Sequence, residues 1–128
     1  MTAGLLLDSN VVLFALLRPA RLSVTAREAI ENPANKRWIS AATWYEVGYK
    51  IQIGKLKLPP DRDLNLALKL LQASALAITP DHMSRAAGLP IDNRDPFDRI
   101  LAAQAIEEGL LLVSADENLN PLGAPLLW

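Results

Sequence analysis

RDPFDRILAAQAIEEGLLLVSAD, residues 94–116, is the stretch that decides the fold. Pro96 at a first helical position opens a helix over Phe97–Glu108, because its missing N–H would be unpaired there anyway. Gly109 closes that helix. Leu110–Val113 then reads as a fully apolar strand, and Asp116 follows it. A helix handing over to a short all-apolar strand is the unit of a parallel sheet covered on both faces.

The same pattern runs outward from this stretch to both ends. Gly4–Leu7 reads as a buried strand that stops at Asp8. Asn10–Leu17 is helix, stopped by Arg18-Pro19. Ser23 caps a helix reaching Glu31, which Asn32-Pro33 ends. Arg37–Ile39 is a second strand. Ser40 caps a helix over Ala41–Ile53, ended by Gly54. Asp61–Gln72 is an amphipathic helix, with Leu64, Leu68 and Leu71 on one stripe. Leu76–Ile78 reads as a third strand, and Thr79 caps a helix over Pro80–Ala87. Leu126–Leu127 is a short fifth strand. The predicted architecture is α/β: a three-layer α/β/α sandwich around a mostly parallel sheet of four to five strands, with residues 1–128 as one domain.

Bulk composition narrows the class. Of 128 residues, 51% are hydrophobic and 21% charged, the balance of a folded globular chain rather than a disordered one. No apolar run approaches the roughly 20 residues of a membrane span. Leu5–Leu7 is too short for a signal peptide and lacks a basic leader, so a cytoplasmic protein is expected. With no cysteine, disulfides and thiolate metal sites are excluded. The single histidine, His82, has no second His or Cys to make a zinc site, and a structural or surface use is expected. A net charge of −1 gives no global attraction for nucleic acid. Lys50, Arg94 and Arg99, with Lys55 and Lys57, are candidate local phosphate contacts. Trp38, Trp44 and Trp128 suit apolar packing better than base stacking.

Four acids are placed where such a fold would gather them. Open parallel sheets bind ligands beyond the carboxyl ends of their strands. Asp8 ends the first strand and Asp116 follows the fourth. At about 100° per residue, Glu46 lies about 40° from Ala42, beside an apolar arc of Tyr45, Tyr49 and Ile53. A helix ion pair with Lys50 at i+4 is the bland use of Glu46. Asp98 shares a helix face with Leu101, Ala102, Ala105 and Ile106, so it points inward. Asp95, one turn earlier, lines the same edge. A favourable dipole interaction explains an acid in a first turn but not its inward direction. For Asp8 the bland use is a helix N-cap.

Carboxylates near a core are costly unless something positive joins them. With no thiols and one histidine, the fitting partner is a hard cation such as Mg²⁺ or Mn²⁺. Such ions lower the pKa of bound water and stabilise charge on phosphate oxygens, which is what phosphodiester hydrolysis needs.

LLLDSN at the start, SAATWYEVGYKIQIGKLKLP, LPIDNRDPFDRILAAQA and the closing LVSAD…PLLW together resemble PIN-domain proteins, in order and nearly end to end. Within that family the pattern is most similar to VapC-type toxins of type II toxin–antitoxin pairs. The resemblance implies a Mg²⁺- or Mn²⁺-dependent endoribonuclease, acting on RNA and inhibited by a cognate antitoxin. It also implies a homodimer. By motif position it implies Asp8, Glu46, Asp98 and Asp116 as the metal-binding, catalytic acids, with Asp95 as a further contributor. Asn10 and Ser114 match polar positions that orient a carboxylate or water. An acidic cleft would accept an inserted Arg or Lys from the antitoxin. Asn10 and Asn93 stand where the family commonly has His, and Leu119 where it has an aromatic, which bears on substrate preference.

Two other classes fit less of the chain. A phospho-receiver module would show paired acids after the first strand and a Lys before the last loop, yet Asp8 stands alone and no Lys follows Lys69. A non-catalytic binding module would keep an acidic cation-binding pocket without cleavage.

Overall fold

The computed structural model describes residues 4–128. Its strands are β1 (Gly4–Leu7), β2 (Lys36–Ser40), β3 (Ala73–Leu76), β4 (Leu111–Val113) and β5 (Leu126–Leu127). Its α-helices are α1 (Ser9–Leu17), α2 (Val24–Glu31), α3 (Ala41–Gln52), α4 (Leu64–Leu70), α5 (Pro80–Gly88) and α6 (Pro96–Glu108). Short 3-10 turns cover Pro19–Arg21 and Glu117–Leu122. The strands form one sheet in the order β3-β2-β1-β4-β5, and every neighbouring pair is parallel. The chain builds outward from β1 through β2 to β3, then returns to place β4 on the other side of β1. The order therefore reverses between β1 and β4, and that crevice is where such sheets hold ligands.

The leucine run of β1 works because both faces of the sheet are covered. Side chains alternate along a strand. Leu5 and Leu7 face a cluster with Val11, Val12, Ile30, Val47 and Ala67. Leu6 faces the opposite cluster with Leu101, Ala102, Ala105, Leu112 and Leu119. Each fully buried leucine contributes about 1.5–3 kcal/mol of transfer free energy. Helices α1 to α4 thus supply one outer layer and α6, with α5 packed on it, supplies the other.

Most predicted ends fall within one or two residues of those observed. Ser23, Ser40 and Thr79 each cap a helix by accepting a backbone N–H. Gly109 adopts φ +66° and closes α6.

Three expectations are corrected. The third strand is Ala73–Leu76, not Leu76–Ile78. It pairs Ser74 with Trp38 at the sheet's edge, so backbone bonds define it while Ser74 and Ala75 stay exposed. Apolar periodicity is blind to such a strand. The helix expected over Asp61–Gln72 spans only Leu64–Leu70. Asp63 caps its start through the Leu66 N–H at 2.8 Å, and Gln72, at φ +49°, turns the chain out of helix directly into β3. In α3 the arc of Tyr45, Tyr49 and Ile53 does not face the core; Tyr45 is 68% exposed. The buried arc is Ala42, Thr43 and Val47. Glu46 still borders it, because it lies between Ala42 and Thr43 on the wheel.

Candidate metal centre

Asp8 is fixed by the end of β1. Its N–H donates to the Val113 carbonyl at 3.0 Å, so strand pairing continues one residue beyond β1. The carboxylate is thereby set against the exit of β4. Ser114 Oγ donates to Asp8 Oδ2 at 2.6 Å and accepts the Asp116 N–H at 3.0 Å. One serine thus holds both sequence-predicted acids of this crevice. Asp8 occupies the N-cap position of α1 but makes no side-chain capping bond there, so capping alone does not account for its burial. It is 8% exposed. Burial pushes its carboxyl above the usual range, Glu46 and Asp116 push the same way, and the bonds from Ser114 and the Ser9 N–H oppose this.

Asp98 sits in the first turn of α6, half-buried. Its carboxyl is pushed up to about 6, chiefly by burial and further by the charges of Asp95, Asp8 and Asp116, against a lowering bond from Asn93. Asn93 Nδ2 donates to Asp98 Oδ2 at 3.0 Å. Asp8 thus feels the charges of Glu46 and Asp116, and Asp98 those of Asp95, Asp8 and Asp116, so Asp8, Asp98 and Asp116 form the centre of the group, with Glu46 beside Asp8 and Asp95 beside Asp98.

The remaining predicted residues are distributed unevenly. Asp116 caps the 3-10 turn by accepting the Asn118 N–H at 2.9 Å with Oδ1. Asp95 caps α6 through Oδ1, accepting from Phe97 and Asp98 N–H groups. Glu46 has both oxygens engaged: Ser9 Oγ donates to Oε1 at 2.6 Å and Lys50 Nζ to Oε2 at 3.0 Å. Lys50 is therefore held beside the acids by an i,i+4 pair. Arg99 is committed to the fold, since its guanidinium donates to the carbonyls of Ala86, Leu89, Pro90 and Asn93 and closes the end of α5. Arg94 is exposed on the lining of a cleft of about 340 Å³ that also holds Asn93, Asp95, Asp98, Asp116 and Asn118. A separate groove of about 450 Å³, between α2 and α4, contains none of the predicted acids. Asn10 is exposed on α1.

Ser9 and Asn93 hold carboxylates here and were not read from the sequence as doing so. The signal for Ser9 was its place directly after Asp8; that for Asn93 was the Asn-x-Asp spacing, since Asn93 Oδ1 accepts the Asp95 N–H at 2.9 Å. Trp38 and Trp44 pack against the two cores. His82 is buried: its Nδ1 accepts the Thr79 N–H at 3.0 Å, so Nε2 carries the proton toward Glu108 Oε1 at 2.9 Å.

The donor set fits a hard divalent cation. It is all oxygen, as Mg²⁺ and Mn²⁺ prefer. Among the described residues the ion pairs are Glu46–Lys50, His82–Glu108 and Arg85–Glu107, so Asp8, Asp98 and Asp116 face hydroxyls and amides but no protein cation. Among the described residues no group of three or more His, Cys, Asp or Glu side chains is arranged to hold a metal ion as it stands. Mg²⁺ does not require such a group, since it binds through one or two carboxylates and keeps several waters.

Three comparisons bear on this geometry. The sequence profile of the PIN domain matches residues 5–124. A curated relative, Ribonuclease VapC22 of Mycobacterium tuberculosis, is 33% identical over 116 residues, covering 90% of this chain and 88% of the relative. Among solved structures, VapBC2 from Rickettsia felis bound to a promoter DNA fragment superposes with a TM-score of 0.71 at 16% identity, covering 96% of each chain. DNA-bound VapBC from Salmonella typhimurium superposes with a TM-score of 0.72 at 19% identity, covering 97% of this chain and 96% of the other. At these identities the structural likeness carries the fold alone.

Proposed function

Because the chain belongs to the PIN-domain family, we propose that it is a metal-dependent endoribonuclease and the toxin of a toxin–antitoxin pair. The 33% identity to a VapC ribonuclease supports the activity, and the fold shared with VapBC complexes supports an antitoxin partner. The observation that carries the chemistry is the set of carboxylates at the β1/β4 crevice, with Asp8 buried, Asp98 and Asp116 partly buried, and none of the three paired with a protein cation. Residues 1–128 act as one unit in the cytoplasm, as a homodimer.

Asp8, Asp98 and Asp116 would hold Mg²⁺ or Mn²⁺, with Glu46 and Asp95 at the margin. The ion, when bound, makes water a better nucleophile at neutral pH and stabilises charge on the phosphate. The chain's own part is orientation. Ser114 fixes one oxygen of Asp8. Ser9 fixes Glu46, and Lys50 places a positive charge where phosphate would enter. Arg94, on the cleft wall, supplies a second phosphate contact. An antitoxin Arg or Lys entering this cleft would compete with the metal for the same carboxylates.

The test is cleavage of end-labelled RNA with Mg²⁺ or Mn²⁺ and with EDTA, comparing wild type with Asp8→Asn and Asp98→Asn. Metal-dependent cleavage that both variants lose is expected. Equal cleavage by all three proteins would assign the activity to a contaminant. No cleavage by wild type of total cellular RNA would overturn the reading.

A further inference from the structure

We infer that Asn93 is a positioning residue that locks the separation between the two acid-bearing segments of the cleft, the start of α6 and the turn after β4. Resting on the nuclease reading above, this inference adds a neutral residue to its site. Asn93 is 8% exposed, in the loop between α5 and α6. Its two amide hydrogens go to different segments: Nδ2 donates to Asp98 Oδ2 at 3.0 Å and to the Asn118 carbonyl at 2.9 Å. Its Oδ1 accepts the Asp95 N–H at 2.9 Å. Arg99 holds the Asn93 carbonyl at 2.9 Å from below. The link closes on the far side, where the Asn118 N–H donates to Asp116 Oδ1 at 2.9 Å.

A continuous chain of bonds therefore runs from Asp98 through Asn93 and Asn118 to Asp116. These acids stand on either side of α6 and β4, and no other side-chain hydrogen bond joins α6 to this turn among the described residues. The chemistry of an amide suits the position. A carboxylate there would repel Asp98, and a Lys or Arg would neutralise it and compete with a cation. An amide donates without charge, occupies one oxygen of Asp98 and leaves the other free. Groups behind metal-binding side chains orient them and tune affinity in this way.

The experiment is Mn²⁺ titration, read by loss of the free-ion EPR signal, together with RNA cleavage kinetics and thermal melts in EDTA. Asn93→Ala is expected to weaken Mn²⁺ binding by about tenfold or more. It should lower kcat by a larger factor than it raises KM for RNA, because Asn93 acts through Asp98 and offers phosphate no charge of its own. Asn93→His, whose Nδ1–H can stand where the amide N–H stands, should recover Mn²⁺ affinity. Should Asn93→Ala fail to fold, the near-isosteric Asn93→Asp decides: it keeps the bond from Asp95 but cannot donate, and the same fall in kcat is expected. A folded variant with a lowered melting temperature but wild-type Mn²⁺ affinity and kcat would assign Asn93 to the fold alone and overturn the inference, as would a wild type that binds no Mn²⁺. If wild type binds Mn²⁺ but cleaves no RNA, the nuclease reading fails, and the Asn93 inference is still decided by the titration.

Discussion

Helix α6 carries acids at both ends, and the two ends are treated in opposite ways. At its C-terminus Glu107 and Glu108 oppose the helix dipole, yet each has a cationic or proton-bearing partner from α5: Arg85 for Glu107 and His82 for Glu108. At its N-terminus Asp95 and Asp98 suit the dipole, but they face amides, a helix start and other carboxylates. One end is a finished structural contact. The other is held in shape by neutral donors and left short of positive charge. The contrast separates acids that fasten α5 to α6 from acids that no protein cation meets.

Exchanging single residues at the two ends should break the contrast cleanly if it is wrong. Asp98→Asn is isosteric and can still accept from Asn93. We expect it to fold normally by circular dichroism and to lose RNA cleavage by about 10²–10³-fold. His82→Ala should do the reverse. It removes the side-chain half of the α5 capping box, leaves the Thr79 N–H without its partner, empties a buried site and frees the partly exposed Glu108 to solvent. The expected cost is about 3 kcal/mol of stability in urea unfolding, with cleavage per folded molecule unchanged. Lost fold in the first variant, or lost activity in the folded fraction of the second, would erase the distinction.

Metal addition sharpens it further. An ion that binds only the folded chain stabilises it by about 2.7 kcal/mol at 100 times its dissociation constant. Wild type and His82→Ala should therefore show the same rise in melting temperature with Mn²⁺, while Asp98→Asn shows a smaller one. A rise that survives in Asp98→Asn and vanishes in His82→Ala would place the ion at the wrong end of the helix.

The residues show which parts of this were legible in the sequence. Leu5–Leu7 and Leu110–Val113 gave away the central strands, because a strand buried on both faces must be apolar throughout. Pro96 and Gly109 bounded α6 for steric reasons that need no tertiary context. β3 was misplaced because an edge strand is held by backbone bonds that Ser74 and Ala75 do not advertise. Tyr45 and Tyr49 looked like a core stripe, but their ring contacts are with each other and with Phe97 at the surface. The acids were singled out from strand ends and helix faces. Ser9 and Asn93 were not, because a side chain that acts by holding another has no spacing of its own to betray it.

The smallest effect concerns pH, and its sign separates the two ends again. Asp98 is held at about 6 and Asp8 is raised as well, mainly by burial. An unfolded chain releases these protons near pH 4, whereas the folded chain keeps them to higher pH. Stability from these groups is thus fully present below their unfolded values and is lost as pH rises through about 6, the value held for Asp98. In EDTA, wild type should lose stability relative to Asp98→Asn between about pH 4 and 6.5, by roughly 1 kcal/mol once solvent screening at a half-exposed site is allowed for. Saturating Mn²⁺ at pH 7 should abolish that difference, since the ionised carboxylate then has its counter-charge. Urea unfolding of the two proteins across this range measures it directly. If the wild-type chain instead gained stability over Asp98→Asn as pH rose in EDTA, Asp98 would already have a cationic partner within the fold, and the two ends of α6 would be alike after all.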